Sequence, residues 1–170
     1  MERKTALITG ATSGIGEACA RRFANGGYNI IITGRTADKL QALKAELETE
    51  GVSVLALAFD VCDRNATREA VNSIPESFKP IDVLINNAGL ARGLEPEYEG
   101  SFQDWDEMID TNIKGLLNMT RLVVPQMVSL NHGHVINIGS VAGDAAYAGG
   151  FVAPIGKTPC TSLAYSACGT

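Results

Sequence analysis

Three glycines, at positions 10, 14 and 16, stand in the pattern T-G-x-x-x-G-x-G. Residues 5–9 before them form a short apolar, β-branched run, which predicts a buried parallel strand. Residues 17–23 continue with helical spacing, and the N-terminus of such a helix offers unpaired N–H groups and a positive dipole end to a phosphate. A plain tight turn is the alternative, but the position between strand and helix favours a dinucleotide site. The residues of this predicted site are Gly10, Thr12, Ser13, Gly14, Ile15 and Gly16.

The second predicted strand ends in Gly34-Arg35, where many NAD-binding folds place an acidic residue on the ribose 2′-hydroxyl. Neither residue is acidic, and the guanidinium fork of Arg35 can instead hold a 2′-phosphate. The alternative is a solvated loop arginine. The pattern therefore favours NADP over NAD as the cofactor.

Four further polar groups follow strands or lie on a predicted inward helix face. Asp60 and Val61 come after the third strand, and the alternative for Asp60 is to cap a helix. Asn87, Ala88 and Gly89 follow the fourth strand in the motif N-N-A-G, whose alternative is an Asn-rich turn. Asn112 lies on an inward stripe, where a buried amide needs a hydrogen-bond partner. Ser140 follows the fifth strand, and a turn serine is its alternative.

The elements that position these groups alternate between strand and helix. This alternation predicts an α/β fold of the Rossmann type, with a doubly wound parallel sheet between two helical layers. Ile15, Ala18, Cys19 and Phe23 make the predicted apolar face of the first helix. Pro125 should kink or shorten a long helix at 101–130, and the polar loop 90–100 could border a substrate site. Strands are predicted at 5–9, 28–33, 52–58, 81–85 and 134–138, and further helices at 38–50 and 64–73.

Composition excludes several functional classes. The 170 residues suffice for one domain with a core, and a net charge of −5 without a basic block argues against nucleic acid as a partner. No signal peptide or membrane span is apparent, and four cysteines without metal-type spacing fit a reducing cytoplasm. His132 and His134 lack further ligands nearby, so no metal site is expected.

The glycine pattern and the N-N-A-G motif, in this order, resemble the short-chain dehydrogenase/reductase family. The resemblance implies a strand order of 3-2-1-4-5, a bound NAD or NADP, and a small-molecule substrate. It places Asp60 beside the adenine and Asn87, Ala88 and Gly89 against the cofactor. It gives Asn112 a water in a proton relay, and Ser140 a hydrogen bond to the substrate oxygen.

Several shorter motifs are similar to those of NADP-dependent 3-hydroxy acid dehydrogenases, which oxidise serine-like 3-hydroxy acids or reduce malonic semialdehyde. A 3-oxoacyl carrier-protein reductase is the alternative within the same class. The motifs that carry this narrower resemblance lie at residues 87–91, 104–105, 108–112, 131–134 and 147–150.

One residue of the family's catalytic Tyr–Lys pair is missing from this chain. The family uses a Tyr thirteen residues after the Ser and a Lys four residues further on; these positions hold Ala153 and Lys157. Lys157 thus remains as the residue that would tune the acid–base group and contact the ribose. We expect a Rossmann core over residues 1–150, cut off after about five strands, and an atypical tail over 151–170.

Two explanations of the tail compete: a shifted reading frame or mispredicted gene end, and a genuine truncated, non-catalytic relative. The first is favoured, because the motifs before residue 150 are intact and the change after it is sudden. The chain is therefore expected either to descend from an NADP-dependent oxidoreductase with impaired activity or to be a nucleotide-binding fragment without catalysis. The family's tetramer, built around the long helix and the helix after the Tyr, would also be compromised.

Overall fold

The computed structural model describes residues 3–93 and 97–140. Within them, five parallel strands form one sheet in the order β3-β2-β1-β4-β5, which confirms the predicted fold and strand order. The tail at 151–170, Ala153 and Lys157 lie outside the described residues, so the predicted domain boundary near residue 150 stays a prediction. The strands are β1 (Thr5–Ile8), β2 (Asn29–Gly34), β3 (Val54–Ala58), β4 (Val83–Asn86) and β5 (His134–Asn137).

Helices cover both faces of the sheet. Alternate residues of each strand point to opposite faces. Ile8 therefore belongs to a core cluster with α1 and α2, whereas Leu7 belongs to a second cluster with α5. The helices are α1 (Gly14–Asn25), α2 (Ala37–Glu48), α3 (Arg64–Asn72), α4 (Phe102–Ile109) and α5 (Leu116–Ser129).

The buried face of α1 differs from the predicted one. Gly16, Ala20 and Ala24 are buried, whereas Ile15 is 60% exposed. Small residues at a spacing of four let the helix backbone approach the sheet closely, and that requirement outweighs the burial of the larger Ile15 side chain. Of the predicted apolar face, Ile15 and Ala18 are thus exposed, whereas Cys19 and Phe23 pack against the core.

The predicted long helix at 101–130 is divided at a different place from the expected one. A π-helical segment, Asp110–Gly115, separates α4 from α5, while α5 continues through Pro125 to Ser129. Shortening at Pro125 is thus wrong. Pro125 lies on the exposed side of α5, where solvent can satisfy the Arg121 carbonyl that loses its N–H donor.

Candidate cofactor-binding site

A cavity of about 470 Å³ lies at the carboxyl ends of the strands, where ligands bind in open α/β sheets. It brings together the glycine turn, the end of β2, the segments after β3 and β4, and the end of β5. Of the predicted site residues, those that line it are Gly10, Thr12, Ser13, Ile15, Arg35, Asp60, Val61, Asn87, Ala88, Gly89 and Ser140.

The glycine turn packs directly against the N-N-A-G segment. Gly10 has φ +64°, and a Cβ there would lie 2.8 Å from the Ala88 Cα. A Cβ on Gly16 would collide with Asn87 Nδ2 and lie 2.5 Å from the Gly10 oxygen. Gly10 and Gly16 are therefore required by the contact between two loops rather than by a ligand alone.

Gly14 is required for a different reason. Its φ is +57°, a left-handed conformation that favours glycine, and a Cβ there would meet nothing within 4 Å. The three glycines of one motif thus satisfy two separate physical constraints: close approach at Gly10 and Gly16, and backbone conformation at Gly14.

Thr9 opens the glycine pattern, but sequence reasoning gave its side chain no role. Its buried hydroxyl accepts hydrogen bonds at 3.0 Å from the backbone N–H groups of both Asn87 and Ala88. The same hydroxyl donates to the Ile85 oxygen at 3.3 Å. Asn87 Nδ2 in turn donates to the backbone oxygens of Thr9 and Gly10, at 2.9 and 3.0 Å. The available signal was a threonine at the end of a strand that otherwise reads as apolar.

The end of β2 offers a cation and no carboxylate. Arg35 is exposed and lines the cavity, and none of the described residues forms an ion pair with it. A Cβ on Gly34 would lie 2.9 Å from Thr12 Cγ2, so a larger residue at this position would push against the glycine turn. The arrangement leaves the Arg35 guanidinium available to an anionic group in the cavity.

Asp60 lines the cavity and does not cap α3. Its Oδ1 accepts a hydrogen bond from the Cys62 N–H at 2.9 Å. The cap is Asp63, which accepts from the N–H groups of Asn65 and Ala66 at 2.8 and 3.0 Å. The helix-capping alternative for Asp60 is therefore wrong.

Cys62 lies beside this end of the cavity. Burial raises the pKa of its thiol, and the nearby Asp60 acts in the same direction, while a hydrogen bond with Thr111 opposes both. The Sγ lies 3.4 Å from Thr111 Oγ1. A raised pKa keeps the thiol protonated at neutral pH, which lowers its reactivity.

Asn112 is buried and does not line the cavity. Its Oδ1 accepts from the Leu90 N–H and its Nδ2 donates to the Leu90 oxygen, both at 2.9 Å. Asn112 thus has the hydrogen-bond partners that a buried amide needs. Asn112 positions the segment that follows Gly89, and its role in a proton relay stays a prediction.

The described residues hold no group of three or more His, Cys, Asp or Glu side chains that could bind a metal ion. His132 instead contacts Asp82, with Nε2 lying 3.0 Å from Oδ1. In the same part of the chain, no helix has the length and apolar character needed to cross a bilayer.

The comparison with known proteins agrees with this geometry. The family model described as short chain dehydrogenase matches residues 4–158. The NADP-dependent 3-hydroxy acid dehydrogenase YdfG of Salmonella typhi is 56% identical over 146 residues, which cover 86% of this chain and 58% of that protein. The serine 3-dehydrogenase of Agrobacterium fabrum is 48% identical over 148 residues, covering 87% of this chain and 58% of that protein. The chain thus spans 58% of the length of these relatives.

Solved structures show the same relationship. Serine dehydrogenase from Escherichia coli superposes with a TM-score of 0.88 at 48% identity, covering 94% of this chain and 72% of that one. A closed form of serine dehydrogenase complexed with NADP+ superposes with a TM-score of 0.89 at 48% identity, covering 94% of this chain and 63% of that one. With its parallel five-stranded sheet, its glycine turn against the N-N-A-G segment and this sequence match, the chain belongs to the short-chain dehydrogenase family.

Proposed function

We propose that this chain binds NADP(H) in the cavity at the carboxyl edge of its sheet. The observation that carries the proposal is Arg35, which is exposed at the cavity, directly after β2, with no described ion-pair partner. A 2′-phosphate is the group that distinguishes NADP from NAD, and a guanidinium binds phosphate with two parallel hydrogen bonds. The serine dehydrogenase structure complexed with NADP+ supports the same choice.

The residues present fit such a dinucleotide. The N-terminus of α1 and the open space above Gly14 leave room for a pyrophosphate near the backbone N–H groups. Asp60 and Val61 would border the adenine, and Asn87 to Gly89 would face the rest of the cofactor. Thr9 and Asn112 would act indirectly, because each holds the backbone of a cavity-lining segment.

We further propose that the enzyme lineage oxidises a short 3-hydroxy acid or reduces the corresponding 3-oxo acid. When bound, the nicotinamide supplies or accepts the hydride. Ser140 lines the same cavity as Asn87 and Gly89, which supports the proposal that its hydroxyl hydrogen-bonds the oxygen of the substrate. The substrate class is supported by the names of the relatives, a 3-hydroxy acid dehydrogenase and a serine 3-dehydrogenase.

We propose that this chain binds the cofactor with impaired turnover. Ala153 occupies the position of the proton-transferring Tyr and has no proton to exchange, although Lys157 occupies the position of its partner. Loss of a general acid–base group lowers the rate by about 10²–10⁴-fold. This substitution favours a second candidate function: nucleotide binding without catalysis. Residence in the cytoplasm and assembly into oligomers remain predictions.

Titration with NADPH and NADH, followed by an activity assay with serine and related 3-hydroxy acids, tests these proposals. We expect NADPH to bind more tightly than NADH, with turnover at or near background. Equal affinity for the two cofactors would contradict the role of Arg35. Turnover by this 170-residue chain comparable to that of an intact dehydrogenase would contradict the proposed impairment.

A further inference from the structure

A 3-hydroxy acid carries a carboxylate, and burying that charge in the cavity requires a cation close to it. Of the residues in 3–93 and 97–140 that line the cavity, Arg35 alone is positively charged. Neighbouring strands lie about 4.8 Å apart, so in the order β3-β2-β1-β4-β5 the ends of β2 and β5 are separated by about 14 Å. Arg35 follows β2, whereas Ser140 comes after β5. A short acid held at Ser140 therefore needs a second cation.

Arg92 belongs to the segment on the Ser140 side of the cavity. This segment follows β4, which is the neighbour of β5 in the sheet. Leu90 and Ala91 line the cavity, and Arg92, the next residue, is exposed. The fold thus brings a cation to the edge of the cavity, on the side where the substrate is proposed to bind.

The backbone of this segment is fixed against α4 and the π-helical segment. Asn112 exchanges two hydrogen bonds with the backbone of Leu90, both at 2.9 Å. The Arg92 N–H donates to Met108 Sδ at 3.3 Å. Met108 and Asn112 are four residues apart and lie on the same side of the helix. The Cα of Arg92 therefore has a defined position relative to the cavity wall.

An ion pair places the Arg92 guanidinium beside the cavity. Arg92 Nε lies 2.8 Å from Glu107 Oε2. Glu107 is four residues before Thr111, which lines the cavity, so the two side chains project from the same side of the helix. A guanidinium has five N–H donors, so one that contacts Glu107 through Nε can bind a second carboxylate through its terminal nitrogens.

The contact with Glu107 does not prevent such binding. The side chains of Arg92 and Glu107 are 50% and 39% exposed, and ion pairs with this exposure contribute little to stability. The guanidinium can therefore turn towards a ligand at low cost.

We propose that Arg92 binds the carboxylate of the 3-hydroxy acid. The inference rests on the proposed dehydrogenase function and adds the residue that selects an acid over an uncharged alcohol. The hydroxyl of the substrate lies at Ser140 and its carboxylate at Arg92, between the segments that follow β5 and β4. Arg35 remains the residue for the 2′-phosphate of the cofactor, on the other side of β1.

Ligand-observed NMR titration of the whole chain with NADP+ bound tests the proposal at millimolar ligand. The probes are 3-hydroxypropanoate and 1,3-propanediol, which have the same number of carbons and differ in the carboxylate. The test variant is Arg92→Gln. Its matched control is Glu107→Gln, which breaks the same ion pair but keeps the guanidinium. Lys114→Gln removes a different exposed cation, which pairs with Asp110 at 2.6 Å. Circular dichroism and NADPH titration check that each variant folds and binds the cofactor.

We expect the unchanged chain to bind 3-hydroxypropanoate about tenfold or more tightly than 1,3-propanediol, and Arg92→Gln to lose that preference. Glu107→Gln should keep the preference or increase it, because a competing carboxylate is gone. Lys114→Gln should keep it, and the affinity for NADPH should stay the same in all three variants. A preference that survives in Arg92→Gln would overturn the proposal. So would equal losses in Arg92→Gln and Glu107→Gln, because the intact ion pair would then matter rather than the guanidinium.

The two cofactor and acid titrations separate this inference from the proposed function. NADPH binding by the unchanged chain without a preference for the acid would overturn the role of Arg92 alone. No binding of NADPH would overturn the proposed function and this inference with it.

Discussion

Thr9 and Asn87 hold each other through reciprocal hydrogen bonds. Thr9 Oγ1 accepts from the Asn87 backbone N–H at 3.0 Å, and Asn87 Nδ2 donates to the Thr9 backbone oxygen at 2.9 Å. These contacts join the end of β1 to the segment after β4, which are far apart in the chain. The glycine turn and the N-N-A-G segment, which both line the cofactor cavity, are therefore held in a fixed position relative to each other.

Replacing Thr9 by Val should separate these loops without changing the volume of the side chain. The variant leaves the N–H groups of Asn87 and Ala88 without their acceptor. Because an unsatisfied buried donor costs about 1–3 kcal/mol, we expect the free energy of unfolding to fall by about 2–4 kcal/mol. Urea denaturation measures it. Thr9→Ser, which keeps the hydroxyl, is the control, and equal stability of the two variants would refute the role of the hydroxyl.

Gly16→Ala and Gly14→Ala should differ, although both replace a glycine of the same motif. At Gly16 the new methyl group would collide with Asn87 Nδ2 and break its bonds to the Thr9 and Gly10 oxygens. At Gly14 the methyl group meets open space, and the cost is the left-handed backbone alone, about 1–2 kcal/mol. We expect Gly16→Ala to destabilise the fold more strongly in chemical denaturation; equal losses would mean that Asn87 moves aside at no cost.

Arg35→Gln should change which cofactor binds better. Removing the guanidinium eliminates charge-assisted hydrogen bonds to a 2′-phosphate, worth about 1.5–3 kcal/mol. We therefore expect the dissociation constant for NADPH to rise about 10–100-fold, with little change for NADH. Fluorescence titration with both cofactors measures this. Arg35→Lys keeps the charge but loses the guanidinium fork, so its dissociation constant for NADPH should lie between those of the unchanged chain and Arg35→Gln. A parallel loss of NADH binding would point to a structural defect instead.

The Cys62 thiol should react slowly with iodoacetamide at neutral pH and reach its half-maximal rate at a higher pH than a free cysteine. Burial raises its pKa, and Asp60 adds to the effect. A thiol with a raised pKa holds its proton longer in the folded state, so stability decreases as pH rises from the ordinary thiol pKa towards the folded one. Peptide mass spectrometry resolves Cys62 from the other cysteines. Rapid alkylation at pH 7 of the folded chain would contradict the prediction.

The sequence by itself determined the fold class and the position of most cavity-lining residues, whereas the strand order was an implication of the family resemblance. These follow from local signals: apolar runs that form buried strands, glycines between a strand and a helix, and polar residues that follow strands. Parallel strands bring their carboxyl ends to one edge of the sheet, so Gly10, Arg35, Asn87 and Ser140 line one cavity although the chain separates them widely.

Only the tertiary structure decided how those residues are held. The choice of Gly16 rather than Ile15 for the buried face of α1 depends on the approach of Asn87 from another loop. The hydrogen bonds between Asn112 and Leu90 join residues that are distant in the chain. The division between α4 and α5 lies at the π-helical segment Asp110–Gly115, and local sequence signals had pointed to Pro125 instead. Periodicity reports which residues lie along one element, whereas close contacts between elements depend on the three-dimensional distances that folding creates.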